Sequence, residues 1–154
     1  MTEVDRARKP AHGVTHVFVY GTLKQGHRNA HVNAGVRVPG EFVTVERFPL
    51  YVIGPNQLPW LVASPGQGEQ VVGQLYEVDD AALARMDALE RITEPDWYAR
   101  AEIAVRPRGE AQAPALSAWV YFGSATRLSS EVVHLGPLAE YTHAHAALRI
   151  NATR

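Results

Sequence analysis

Cysteine is absent from the 154 residues, which excludes a disulfide framework, a thiolate nucleophile and a cysteine-based zinc site. An excess of either charge is absent too: 15 Lys and Arg against 16 Asp and Glu leave a net charge of −1. Nucleic-acid binders usually carry a basic patch, so nucleic acid is not an expected partner. No stretch approaches the roughly 18 consecutive apolar residues that span a membrane, so no membrane association is expected. The opening MTEVDRARKPAHG lacks the apolar run of a secretory signal. These absences together predict a cytoplasmic protein. What remains, 46% hydrophobic and 20% charged residues, is the composition of an ordinary globular domain. Residues 1–13 read as a flexible leader and residues 14–154 as one domain, long enough to bury a sizeable core.

Familiar catalytic signatures are also missing. Gly21 and Gly26 have the spacing of a phosphate loop, but His27 and Arg28 follow where that loop needs Lys and Ser or Thr. The Gly-x-Ser-x-Gly elbow of a serine hydrolase does not occur. Among the seven histidines, His27 and His31 are spaced i,i+4, and His143 and His145 i,i+2. Neither pair meets a third ligand at a recognised distance, so no metal is expected.

VTHVFVY (14–20), GEFVTVERF (40–48), PLYVIG (49–54), VVGQLYEV (71–78), YARAEIAV (98–105) and LSAWVYFG (116–123) have the β-branched and aromatic make-up of strands. GPNQLPW and ASPGQGEQ read as loops by their Pro, Gly and Asn content. DDAALARMDALERI (79–92) reads as a helix, with an acidic N-cap followed by good helix formers. PLAEYTHAHAALR (137–149) is a second helix candidate. Several strands with few helices predict an α+β domain built on a closed or barrel-like sheet.

On a helical wheel at about 100° per residue, Glu90 falls about 20° from Leu83 and about 40° from Met86, between two apolar side chains. An ionised carboxylate on a core-facing stripe is costly unless it is bonded or faces a cavity. Burial also raises its pKa, which suits it to moving protons near neutrality. The plainer alternative is that Glu90 ends the helix and bends into solvent. The strand ending in Tyr20-Gly21 poses a separate question, because a glycine turn after a strand often exposes backbone N–H groups to an anion. In QLPWL, Trp60 is either a pocket wall or a loop residue folded onto the core.

VFVYGTLKQG, FPLYVIGPNQLPWL, VVGQLYEVDDAALARMDALE, YAR and WVY, in that order, resemble the γ-glutamylcyclotransferase-like superfamily. Within it, the Pro-Leu…Pro-Trp-Leu segment resembles the γ-glutamylamine cyclotransferase branch. The resemblance implies a small mixed β-barrel with flanking helices and an active site at one mouth. It places a substrate loop on Tyr20, Gly21, Thr22 and Leu23, and the acid/base on Glu90. Tyr98, Arg100 and Tyr121 match positions near the site, and Leu58 and Trp60 are candidates for the leaving-group wall. The family often has Asn-His after the loop; here Asn29 is followed by Ala30, with histidine displaced to His31.

The implied reaction needs no cofactor. A small-molecule γ-glutamyl amide, such as γ-glutamyl-ε-lysine, closes on itself to 5-oxoproline and releases the amine. The anion at the Tyr-Gly turn is then the α-carboxylate of the glutamyl group. Tyr98 or Tyr121 is a candidate to stabilise charge on the γ-oxygen, and Arg100 to orient Glu90, to bind carboxylate or simply to lie exposed. The alternatives are a cyclotransferase for γ-glutamyl dipeptides or a γ-glutamylated biosynthetic intermediate, and a non-catalytic ligand-binding barrel. The sequence assigns no oligomeric state.

Overall fold

A computed structural model describes residues 15–21, 23–24, 35–90, 93–142 and 144–145. The expected leader, Thr22 and the histidines at 27, 31 and 143 lie outside these residues. The elements run β1 (Thr15–Val19), β2 (Val36–Arg37), β3 (Phe42–Phe48), β4 (Leu50–Ile53), β5 (Leu58–Leu61), β6 (Glu69–Val78), α1 (Asp80–Leu89), β7 (Tyr98–Pro107), β8 (Leu116–Gly123), α2 (Ala125–Ser130) and β9 (Val133–Leu138).

Five strands close on one another in the order β1-β8-β7-β3-β6, and β6 pairs back onto β1. The β1–β8 pairing is parallel, while β1–β6, β3–β6, β3–β7 and β7–β8 are antiparallel. The result is the small mixed barrel that the sequence implied. Strand β2 extends it along β6, and a second sheet, β5-β4-β9, packs beside it.

The apolar runs are long because the strands are covered on both faces. Phe18, Tyr20, Val71, Leu75, Val120 and Phe122 belong to one buried cluster. Their neighbours Val17, Val19, Tyr76 and Tyr121 join a second cluster with Ala82 and Met86 of α1. Alternation along a strand sends successive side chains to opposite faces, so a helix laid over the barrel's outside buries the second set. In β3 a bulge falls between Val43 and Arg47. There the buried Thr44 hydroxyl donates to the Glu46 carbonyl (2.6 Å) and accepts from the Val71 amide (2.9 Å), replacing ladder bonds that the bulge interrupts.

Helix α1 starts where Asp79 caps it, its Oδ1 accepting from the Ala82 amide at 2.8 Å. It is shorter than the 79–92 expected and ends at Glu90, the C-cap. Two expectations are corrected. Residues 58–61 are a strand, not loop, because the Gly54–Gln57 turn, with positive φ at both ends, folds the chain back so that β5 pairs with β4. The second helix candidate cannot start at Pro137, since Pro137 and Leu138 belong to β9, paired with β4. Later in that candidate, residues 144–145 are helical and 146–149 lie outside the described residues. A further helix that the sequence did not suggest, α2, is capped by Ser124 and precedes β9.

Candidate active site

Strand β1 delivers Tyr20 and Gly21 to the end of the barrel. The Tyr20 hydroxyl donates to the Tyr121 carbonyl at 2.6 Å, and the Leu61 backbone amide bonds to it. Burial, with the charge of Glu90 nearby, holds this phenol well above its ordinary pKa. Gly21 opens a turn that the Lys24 amide closes onto the Gly21 carbonyl (3.0 Å). The turn lies tight against β5: a Cβ on residue 21 would stand 2.7 Å from Pro59 Cγ, closer than packing allows. Glycine is therefore required here for close approach to β5. Leu23 and Lys24 are both buried.

Lys24 was not anticipated. Its Nζ donates to the Tyr141 carbonyl, and burial lowers its pKa, opposed by Glu140 and Glu41. The only hint in the sequence is its place directly after the Tyr-Gly-Thr-Leu segment.

Helix α1 presents two carboxylates one turn apart. Asp87 is fully engaged: its Oδ1 accepts from the Tyr121 hydroxyl (2.7 Å) and its Oδ2 from Arg100 Nη1 (2.7 Å). Glu90 is partly buried, and among the described residues no hydrogen bond or ion pair reaches its carboxylate. Desolvation pushes its pKa from 4.5 up to about 7. Its charge also helps to raise the phenols of Tyr20 and Tyr121, which places it beside both. The inward reading of the wheel thus holds over the solvent-facing one. Asp87, the first residue of the Asp-x-x-Glu helix end, has no role assigned from the sequence, although the same wheel puts it about 40° from Leu83.

The remaining expected residues sort by their bonds. Arg100 faces Asp87 rather than Glu90, with its guanidinium 4.6 Å from the Trp119 ring centroid. Tyr98 is buried and donates to the Pro59 carbonyl at 2.6 Å. The hydroxyl protons of Tyr20, Tyr98 and Tyr121 are thus committed to protein acceptors, which argues against Tyr98 or Tyr121 as donors to a developing oxyanion.

Trp60 is 0% exposed. Its Nε1 donates to the Ser124 carbonyl at 2.9 Å, and its ring lies 4.4 Å from that of Tyr98 and 5.4 Å from that of Trp97. It therefore packs as core, and the same side chain also lines the cleft beside β5. Leu58, partly exposed, lines this cleft of about 140 Å³ together with Trp60, Ile53, Trp97, Arg127 and Glu131. Arg127 bonds to Glu131 at 3.2 Å and stacks on Trp97.

Among the described residues no group of three or more His, Asp or Glu is arranged to hold a metal. No helix among them is long and apolar enough to cross a membrane.

A closed mixed barrel whose capping helix ends in an enclosed glutamate, beside a Tyr-Gly turn, defines a class. The chain belongs to the family described as gamma-glutamyl cyclotransferase, AIG2-like, whose model matches residues 17–140. It is 41% identical over 100 residues to the gamma-glutamylaminecyclotransferase of Rattus norvegicus, covering 60% of this chain and 64% of that one. It is 38% identical over 132 residues to the gamma-glutamylaminecyclotransferase of Bos taurus, covering 81% and 74%. The crystal structure of an AIG2-like protein from Mus musculus superimposes with a TM-score of 0.69 at 33% identity, covering 85% of this chain and 90% of that one. The chain spans 64% of the length of each of the two rodent gamma-glutamylaminecyclotransferases it matches.

Proposed function

We propose that the protein is a γ-glutamylamine cyclotransferase, converting a γ-glutamyl amide such as γ-glutamyl-ε-lysine into 5-oxoproline and the free amine. The observation that carries this reading is the Glu90 carboxylate, enclosed, without a partner among the described residues, and raised to about 7 beside the Tyr20–Gly21 turn. The names of the rat and bovine relatives support the substrate class.

In this reading Tyr20, Gly21, Thr22 and Leu23 receive the glutamyl end, with backbone amides of the turn holding its α-carboxylate. Glu90, as carboxylate, takes a proton from the substrate's α-ammonium. The freed amine attacks the γ-carbonyl carbon, and the new C–N bond closes a five-membered ring. Protonated Glu90 then delivers its proton to the departing nitrogen as the old C–N bond breaks. The released amine picks up the proton that the attacking nitrogen sheds in becoming a lactam N–H. No water enters the products and no cofactor is consumed. Intramolecular attack is already favoured, with effective molarities on the order of 10⁵ M or more for well-oriented groups. The protein's task is to hold the folded conformer and to exchange protons near neutral pH.

Leu58 supplies apolar surface on the leaving-amine side, backed by Trp60. The reading includes a cytoplasmic location, with which the lack of cysteine agrees.

The test is incubation with γ-glutamyl-ε-lysine in ¹⁸O-labelled water. Unlabelled 5-oxoproline and free lysine are expected. Labelled glutamate would mean hydrolysis, and no turnover of any γ-glutamyl compound would favour a binding barrel.

A further inference from the structure

We propose that Asp87 is a positioning residue for Glu90, holding the last turn of α1 against two strands of the barrel. The inference rests on the reading of Glu90 as the acid/base. Only Ala82 and Met86 are fully buried in α1, with Leu83 and Leu89 packed in part against the second cluster, so beyond Met86 the stretch that leads to Glu90 has no fully buried side chain to anchor it. Asp87 supplies the anchor by polar means. One carboxylate oxygen receives the Tyr121 hydroxyl from β8, and the other receives Arg100 from β7. Tyr121 and Arg100 are direct partners in the β7–β8 ladder, so a single side chain grips adjacent strands at one level. The side chains of Arg100 and Asp87 are only 24% and 21% exposed, and Trp119 covers the guanidinium. Charge-assisted bonds in such partial burial are stronger than exposed pairs.

The grip continues to the substrate turn. Tyr121 gives its proton to Asp87 and its backbone carbonyl to the Tyr20 hydroxyl. A chain of two hydrogen bonds thus links Tyr20, immediately before Gly21, to the helix turn that carries Glu90. Glu90 follows three residues after Asp87, with its backbone amide bonded to Met86. The ionisable groups that feel its charge are Tyr20 from β1 and Tyr121 from β8, and next to Tyr121 stand Asp87 from its own helix and, bonded to that, Arg100 from β7. Of these, Arg100 and Asp87 neutralise each other, and both phenols are held protonated. Glu90 is left enclosed by neutral surroundings only while that turn stays docked.

Asp87→Ala cuts both ties. The experiment follows the Glu90 carboxyl by ¹³C NMR through a pH titration, assigned with Glu90→Gln, and measures kcat and KM for γ-glutamyl-ε-lysine. With the turn released, Glu90 gains water, and its midpoint is expected to fall by about one pH unit or more toward the ordinary range. kcat is expected to fall about tenfold or more with KM changed less than about threefold, the pattern of a misplaced acid/base. Tyr121→Phe and Arg100→Gln each cut one tie and should give smaller shifts in the same direction. They carry the test if Asp87→Ala does not fold. A residue needed only for stability would leave the Glu90 midpoint of the folded protein in place. An unchanged midpoint with kcat within about twofold of wild type overturns the proposal. If the wild type makes no 5-oxoproline, the functional reading fails, and the titration alone still decides whether Asp87 positions Glu90.

Discussion

Asp87 and Glu90 stand one turn apart on α1, yet their carboxylates have opposite circumstances. Asp87 meets Tyr121 and Arg100, both at 2.7 Å, whereas Glu90 is desolvated and raised to about 7. Two acids on one helix are thus separated into a structural anion and a proton-exchanging group by what the barrel places opposite each.

The pH dependence of turnover should show this. Glu90 must be ionised to accept the first proton, so kcat/KM should fall on the acid side with an apparent pKa near 7, the value its burial gives it. A profile flat down to about pH 5 would detach the reaction from this residue, because an ordinary glutamate titrates near 4.3.

The same burial costs stability, with a definite sign. A carboxyl whose folded pKa lies above its unfolded one binds more protons when folded, so stability falls as pH rises from 4.5 through 7. The full effect is up to about 3 kcal/mol, present above the folded value and absent below the unfolded one. Glu90→Gln should therefore melt at a higher temperature than wild type at pH 8 and at nearly the same temperature at pH 4.5. Equal melting temperatures at pH 8 would show that the carboxylate is well solvated.

The cleft beside β5 separates two residues that the sequence presents as equivalent. Leu58→Ala should narrow the preference for γ-glutamyl-ε-lysine over γ-glutamyl-alanine, since each buried methylene of the amine contributes about 0.8 kcal/mol. Trp60→Ala should act mainly on stability, by about 3–5 kcal/mol, as expected for a buried aromatic. Urea unfolding and kcat/KM for both substrates with both variants give the comparison. The expectation fails if the alanine dipeptide is the better wild-type substrate, or if Trp60→Ala is as stable as wild type.

Local signals account for much of what could be read in advance. The strands of the barrel were legible because each is rich in β-branched and aromatic residues, and α1 because its cap and its formers agree. Strand β5 was not, because Pro59 and the preceding Pro55-Asn56 are loop signals, and only pairing with β4 overrides them. Strand β9 was hidden by Gly136-Pro137 in the same way. Glu90 stood out from helical periodicity alone. The roles of Arg100 and Tyr121 did not, because both are set by Asp87, which meets them 13 and 34 residues along the chain.

Gly21 tests the substrate turn without touching Glu90. Gly21→Ala must displace Pro59, which lies 2.7 Å from the new Cβ, at a cost of about 1–3 kcal/mol. We expect raised KM for every γ-glutamyl substrate, because the turn moves relative to β5. Wild-type KM in a folded Gly21→Ala protein would remove the turn from substrate binding.

The central claim is that Glu90 exchanges the protons of a cyclisation, and 5-oxoproline release from γ-glutamyl-ε-lysine by wild type and Glu90→Gln tests it most directly. Glutamine keeps the shape and removes the ionisable carboxyl that takes and returns the proton, so the variant should fold, bind substrate with little change in KM, and turn over at least about a hundredfold more slowly. A folded Glu90→Gln protein that forms 5-oxoproline at near wild-type rate would contradict the account.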